Sequence, residues 1–464
     1  MDLVKRFSDC FLRAPSYIVI CMRVLYVAAE AAPLVKVGGL GDVAGSLPPA
    51  LQRLGVDVRV AIPWYKDIDL KRWNVQVING TGETTLSDTD IPLYLLGREV
   101  FAKTGEHKAI LGTKEEERWF AKFSDAVVEL IEHSEWKPQI LHGNDWHVSE
   151  ALVRIEQTSP QELSEWGYEA KNFATLLTVH NLSYHTNVLR KAILAADLIN
   201  AVSPSYTEEI LTKQFCEGLC TELNQRKDDL YGVLNGIDYG VWNPETDAHL
   251  SVNYGNDSWQ EGKRRNKEEL LDTVGLQSKD GMLLGFVGRL DPHQKGVLVL
   301  ANAIEELVRI GCQIVVLGTG DRRTERVLKT ACAKYPGMAT AVIKYDEALA
   351  HRIYAGADAL LIPSRFEPCG LIQLIAMKYG SLPIARAVGG LKDTIEDGRT
   401  GFLYHDYYSR GLVRAVRRAK AVYSDKPQHW ASMVGQAMRE NFSWDQSAKE
   451  YVKLYERALE KSKA

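Results

Sequence analysis

Arg23-Val24-Leu25-Tyr26-Val27-Ala28, entered from Met22, is an apolar run with a single charge at its edge; Lys36-Val37-Gly38-Gly39-Leu40-Gly41-Asp42-Val43 and a helical pattern from Ala44 to Leu54 follow it. A continuous rather than alternating run reads as a strand buried on both faces, as in parallel sheets covered by helices. Strand, glycine turn and helix make the opening of a βαβ unit. Working outward, the same grammar predicts strands at Asp57–Ile62, Gln139–Leu141, Ala174–Thr178, Leu198–Val202 and Tyr231–Leu234. In the second half it predicts them at Leu283–Val287, Gln313–Leu317, Thr340–Ile343, Ala359–Ile362 and Leu382–Ala385. Two doubly wound parallel sheets accommodate these better than one.

The break between the sheets is expected in the stretch from Tyr239 to Lys267, rich in Asn, Asp, Gly and Lys and without a strand pattern. This divides the chain into residues 22–250 and 251–440, two α/β domains facing each other across a cleft. Residues 441–464 hold a terminal helix, with Ala448, Tyr451, Val452, Leu454 and Tyr455 near helical spacing. Residues 1–21 show no pattern that joins the first strand and are expected to be a dispensable extension, with Met22 as the start of the folded chain.

The 464 residues suit two or three domains. Hydrophobic residues at 45% and charged residues at 25% exclude wholesale disorder and a rod. Lys+Arg 56 against Asp+Glu 60 leaves a net charge of −4, so no global basic field exists for nucleic acid or a membrane surface. The apolar run Tyr17 to Cys21 is far below the roughly 20 residues that span a bilayer. Seven scattered cysteines lack the CxxC blocks of a zinc site and the density of a disulfide scaffold, which suits a reducing, cytoplasmic setting.

Parallel sheets bind ligands beyond the carboxyl ends of their strands, so the loops after the predicted strands carry the chemistry. Lys36 with Gly38 and Gly39 reads as a phosphate or sugar seat, since adjacent glycines admit a ligand to backbone N–H groups and a helix start favours an anion. The alternative is a plain strand-to-helix turn. After the next domain's first strand, Gly288-Arg289-Leu290-Asp291-Pro292-His293-Gln294-Lys295-Gly296 sets a guanidinium and an ammonium on one loop. Such a pair neutralises a departing pyrophosphate, or is simply a solvated basic turn. Gly318-Thr319-Gly320-Asp321 is a second glycine turn after a strand. Ala359–Ile362 runs into Pro363-Ser364-Arg365-Phe366-Glu367-Pro368-Cys369-Gly370-Leu371, and Val388-Gly389-Gly390-Leu391 follows later. Glu367 stands between an aromatic ring and a proline, and Gly370-Leu371 opens a helix.

Taken in order, Lys36-Val-Gly-Gly-Leu-Gly-Asp42, His180-Asn181-Leu182, Asn235-Gly-Ile-Asp238, Arg289…Lys295-Gly296 and Phe366-Glu-Pro-Cys-Gly-Leu371 closely resemble glycogen and starch synthases. The resemblance covers Met22 to Leu459 and implies the GT-B fold of two Rossmann-like domains, with a C-terminal helix that crosses back to the first. It implies retaining transfer of glucose from ADP-glucose to the non-reducing end of an α-1,4-glucan, with no cofactor and no metal. It gives Arg289 and Lys295 the donor phosphates, Lys36 and Asp42 the donor cleft, and Glu367, Cys369, Gly370 and Leu371 the glucose and diphosphate. Gly318, Gly320, Gly389 and Gly390 line the same donor site. Tyr345, in Tyr345-Asp346-Glu347-Ala348, stands where an aromatic stacks on the nucleobase. His180 and Asn235 lie near the reacting sugar, and Asp145 and His147, in Gly143-Asn144-Asp145-Trp146-His147, with Asn181, lie on the acceptor side.

Each assignment has a plainer rival. Asp145 and His147 could cap a helix, Tyr345 could be core, and Cys369 reads as packing rather than a nucleophile. Asp88-Thr89-Asp90 mimics a D-x-D metal motif but reads as a turn. The sequence departs from the family between Tyr184 and Leu189, where most members carry on the order of 20–30 further residues, loops being where insertions are tolerated. It also departs at His293, which lengthens the phosphate loop by one, and at Val388, where many members have Thr. Rival functions are another GT-B transferase, using UDP-glucose or a different acceptor, and an inactive paralogue that binds glucan or nucleotide-sugar. A nicotinamide oxidoreductase fails for want of G-x-G-x-x-G after the first strand.

Overall fold

The first strand, β1 (Arg23–Val27), lies at the centre of a nine-stranded sheet, as its unbroken apolar run requires. It pairs in parallel with β2 (Asp57–Pro63), Arg23 opposite Asp57, and with β6 (Ile140–Asn144), Val24 opposite Ile140. The computed structural model describes residues 22–104, 115–169, 172–278 and 281–463. The expected extension 1–21 lies outside the described residues.

The rest of this sheet comprises β3 (Gln76–Ile78), β4 (Thr81–Thr85), β5 (Pro92–Leu96), β7 (Ala174–Val179), β8 (Leu198–Ala201) and β9 (Leu230–Gly232), in the order β3-β4-β5-β2-β1-β6-β7-β8-β9. All pairings are parallel except β3–β4 and β4–β5 at one edge. Those three strands were not expected from the sequence. Asp88 and Asp90 fall in the connection between β4 and β5, where Asp90 accepts from Gln52 Nε2 at 2.7 Å.

The second sheet has six parallel strands: β10 (Leu283–Val287), β11 (Gln313–Gly318), β12 (Ala339–Ile343), β13 (Ala359–Ile362), β14 (Leu382–Arg386) and β15 (Phe402–Tyr404), in the order β12-β11-β10-β13-β14-β15. Helices cover both sheets, and each sheet has its own large core. Ile237 and Leu250 pack in the second core, ahead of residue 251, and the helix Trp259–Thr273 occupies the polar stretch.

The last helix, Trp444–Lys463, returns to the first domain, where Trp444, Tyr451 and Tyr455 join its core. Its tyrosines meet buried polar groups: Asn200 Nδ2 donates to Tyr451 Oη at 3.0 Å, and Tyr455 Oη lies 2.8 Å from His142 Nδ1. Where the chain returns, a Cβ on Gly236 would stand 2.6 Å from the Trp444 nitrogen, so only glycine fits. The cysteines depart from the expectation of an unpaired set. Cys216 and Cys220 form a disulfide, brought together by a turn with positive φ at Glu217 and Gly218, while Cys312, Cys332 and Cys369 are free and buried.

Candidate functional site

On the first domain, β1 is followed by Ala28-Ala29-Glu30, and Glu30 turns its carboxylate under the glycine loop. It accepts from the backbone N–H groups of Val37 and Gly38. Burial raises its pKa against the pull of those bonds. The helix Gly39–Arg53 starts immediately beyond, with no side chain capping it. Lys36 Nζ pairs with Asp42 Oδ1 at 2.7 Å. Burial disfavours the Lys36 charge, but Asp42 outweighs it and holds the ammonium above its ordinary value.

On the second domain, Lys295 Nζ lies 2.8 Å from Glu367 Oε1 and 2.7 Å from Oε2, both side chains largely buried. Ser364 Oγ donates to the same carboxylate at 2.9 Å, and Arg289 Nη2 donates to Gln294 Oε1 at 3.1 Å. Gly296 has φ +66, and a Cβ there would stand 1.8 Å from the Pro363 carbonyl oxygen, so glycine lets the Lys295 loop lie on the Glu367 loop. The other glycines are also used for close approach. A Cβ on Gly318 would meet the Gly288 carbonyl oxygen at 2.0 Å, and one on Gly320 the Leu290 carbonyl oxygen at 2.7 Å. Gly389 and Gly390 press likewise on the backbone of Glu367 and Cys369.

Burial pushes the Cys369 thiol up to about 12, so it stays protonated and is no nucleophile at neutral pH. Its neighbour Asn235 is buried with Oδ1 unpartnered. Gly370, at φ +78, opens into the helix Ile372–Lys378.

The third cluster sits at the ends of β6 and β7. Asp145, at φ +56, stands at the N-cap position of the single 3-10 turn Trp146–Val148 but makes no side-chain cap bond to it; its Oδ1 accepts from His180 N at 2.6 Å and Asn181 N at 3.3 Å. Burial pushes its carboxyl up to about 7 and the His180 imidazolium down to about 3. His147 stacks on Trp146 with centroids 4.3 Å apart, its Nδ1 buried and unpartnered, and burial lowers its pKa to about 3. Asn181 uses its Oδ1 to accept from Ser183 N in a local turn. After Tyr184 the short connection places His185 against Trp146, ring centroids 3.9 Å apart, and pairs it with Glu116 and Glu117.

The clusters face one another. A Cβ on Gly39 would lie 3.9 Å from Leu371 Cδ1 across the cleft. Tyr345 is 75% exposed rather than core, and its hydroxyl feels Glu347 of its own domain together with Lys36 and Asp42 of the other. Behind the cleft the domains are clasped. Ser203 Oγ donates to the Pro368 carbonyl at 2.6 Å, Ser205 N and Oγ to Asp393 at 2.8 and 2.6 Å, and Gly389 N to Glu209 Oε1 at 2.9 Å. Glu30, Asn144, Ser364, Gln294 and this clasp were not singled out in the sequence. Among the described residues no cluster of three His, Cys, Asp or Glu side chains could hold a metal ion, and no helix is long and apolar enough to cross a membrane.

The arrangement joins a paired cation and carboxylate, a second cationic loop and an exposed aromatic across one cleft. Residues 23–188 match the starch synthase catalytic domain family, and residues 281–420 match the glycosyl transferases group 1 family. The glycogen synthase of Lacticaseibacillus casei is 37% identical, with 95% of this chain and 100% of that protein covered. That of Thermotoga petrophila is 36% identical, with 95% and 99% covered. The catalytic domain of starch synthase IV from Arabidopsis thaliana, solved with ADP and acarbose, superposes with a TM-score of 0.84 at 31% identity, covering 95% of this chain and 99% of that one. Sucrose-phosphate synthase from Thermosynechococcus elongatus, at 20% identity and a TM-score of 0.64, shares the fold.

Proposed function

Because this chain belongs to the glycogen and starch synthase family of glycosyltransferases, we propose that it transfers glucose from ADP-glucose to the non-reducing 4-OH of an α-1,4-glucan with retention of configuration. The observation that carries the reading is the Lys295–Glu367 pair, set on the loops after β10 and β13. In this reading the donor diphosphate draws Lys295 and Arg289, whose charges meet the negative charge that grows as the bond from the anomeric carbon to the phosphate oxygen breaks. Glu367 orients the glucose. The acceptor O4 bonds to the anomeric carbon on the face the phosphate leaves, and its proton passes to the departing phosphate oxygen. This requires no nucleophile from the protein, and the Cys369 thiol, protonated at neutral pH, offers no thiolate.

Lys36, Asp42 and Tyr345 close on the nucleotide side, and Gly370 and Leu371 bring the start of a helix to the diphosphate. His180 and Asn235 contact the sugar, while Asp145 and His147 shape the acceptor side. Closure of the cleft excludes water, which otherwise competes with the acceptor. The test is incubation of the protein with glucose-labelled ADP-glucose and glycogen, followed by β-amylase digestion. Label released as maltose supports the reading; free labelled glucose without polymer incorporation contradicts it.

A further inference from the structure

Asn144, the last residue of β6, is fully buried and has three polar neighbours. Its Nδ2 donates to the Val27 carbonyl at 3.0 Å. Its Oδ1 lies 3.0 Å from Tyr26 Oη and 3.0 Å from His180 Nε2. Only one orientation of the amide satisfies all three. The opposite one would set Oδ1 against the Val27 carbonyl, two acceptors with no proton between them. Burial holds the Tyr26 hydroxyl protonated, so it donates to Oδ1. The same oxygen faces His180 Nε2, which must then be the nitrogen that carries the ring proton. Burial keeps the His180 ring neutral at pH 7, so it has one proton to place. Nδ1 is left as the lone-pair nitrogen. It has no partner among the described residues and is not among the atoms sealed from solvent.

We infer that Asn144 is a positioning residue for the transfer reaction: by fixing His180 as the Nε2–H tautomer, it makes Nδ1 an obligatory acceptor for a hydroxyl of the transferred glucose. The inference rests on the glucosyltransferase reading for its substrate, but the tautomer rests on hydrogen bonding alone. It carries a specificity rule. A sugar presenting a hydroxyl at that place satisfies Nδ1, and one with hydrogen or an ether oxygen there leaves a polar nitrogen unpaired and is rejected. Anchoring β1 through Val27 is the competing, purely structural role of Asn144, and the His180 ring-nitrogen signature, which that role alone would not move, separates the two roles across two substitutions. Asn144→Leu removes the acceptor and the Val27 donor together. Asn144→Asp keeps an acceptor oxygen for Nε2–H and Tyr26 in either ionisation state.

The experiment is ring-nitrogen NMR of the full chain labelled with 15N-histidine, with the His180 signals assigned by their loss in His180→Gln, beside steady-state kinetics. Wild type should show His180 as the Nε2–H tautomer. Asn144→Leu should show tautomer mixing and a fall in kcat of about 10²-fold, with donor KM changed little, as expected when a contacting group loses its alignment. Asn144→Asp should retain the tautomer and recover most of kcat. A wild-type Nδ1–H tautomer, an unaltered tautomer in Asn144→Leu, or equal kinetic losses in the Leu and Asp variants would overturn the inference. Absence of glucosyl transfer in wild type with the Nε2–H signature intact would instead count against the proposed function and leave the tautomer assignment standing.

Discussion

Lys295 and Glu367 stand 72 positions apart in the sequence and meet at two points, Nζ to Oε1 at 2.8 Å and Nζ to Oε2 at 2.7 Å. Neither can be replaced without altering the other's charge balance, because both side chains are largely buried. Lys295→Ala is expected to lower kcat at saturating donor by about 10²–10³, the usual loss for one preorganised contact to developing charge, and Glu367→Ala to collapse turnover as well because the glucose loses its alignment. The isosteric Glu367→Gln should keep the circular dichroism spectrum of wild type and still lose turnover. Wild-type rates in any of the three would remove the role assigned to that residue.

Asp145 gives a pH dependence of stability. In the unfolded chain its carboxyl ionises near 4, at about the ordinary carboxylate value, whereas burial keeps it protonated in the fold up to about 7. Between those values the folded state holds the extra proton, so this group's contribution to stability falls as pH rises from about 4 to about 7 and is constant outside that window. Asp145→Asn keeps the acceptor oxygen for His180 N and removes the titration. The melting temperature of Asp145→Asn relative to wild type should therefore climb between pH 5 and pH 8. A difference independent of pH would show that Asp145 does not titrate in this range.

The clasp behind the cleft should govern water exclusion. Asp393 holds both the nitrogen and the hydroxyl of Ser205 across the domain boundary. Asp393→Ala is expected to leave the melting temperature near wild type and to raise the ratio of free glucose released to glucose transferred several-fold, since a looser cleft admits water to the reacting sugar. An unchanged ratio would show that closure does not depend on this contact.

Much of the fold was legible because strands buried on both faces read as unbroken apolar runs, as in Arg23–Val27, Ala174–Val179 and Ala359–Ile362. The antiparallel edge was missed for a different physical reason. β3 is short and exposed throughout and β4 is mostly half-buried, so burial imposes little pattern on them. One signal was present: Asn79-Gly80, both at positive φ, is the two-residue hairpin turn that joins them. β15 is only three residues long, and β5, though as long as β1 and buried, opens on Pro92, which weakens a strand signal. In the site, the loops after strands were legible because glycines and paired charges mark them. Asn144 acts through a partner fixed by tertiary packing, Tyr26 across 118 positions, and one sequence carries no trace of that pairing, whereas Glu30 and Ser364 bond within their own loops, to Val37 and Gly38 and to Glu367, through local backbone geometry that residue types alone do not fix. The pairing of Cys216 with Cys220 depends likewise on a local turn that composition does not reveal.

In the proposed reaction Arg289, Lys295 and helix amides meet the charge on the leaving diphosphate, so that reading predicts turnover without a divalent ion. Excess EDTA is expected to leave the rate nearly unchanged. A large loss restored by Mg²⁺ or Mn²⁺ would overturn the cationic-loop account.

The most direct measurement is kcat/KM for a panel of nucleotide-diphosphate glucoses with glycogen as acceptor, following nucleoside diphosphate release and polymer-bound label in the same reaction. Equal amounts of nucleoside diphosphate and new non-reducing α-1,4-linked glucose, with ADP-glucose the best donor, are the predicted result. A higher kcat/KM for UDP-glucose would overturn the donor assignment, and no label in glycogen from any donor would contradict the account.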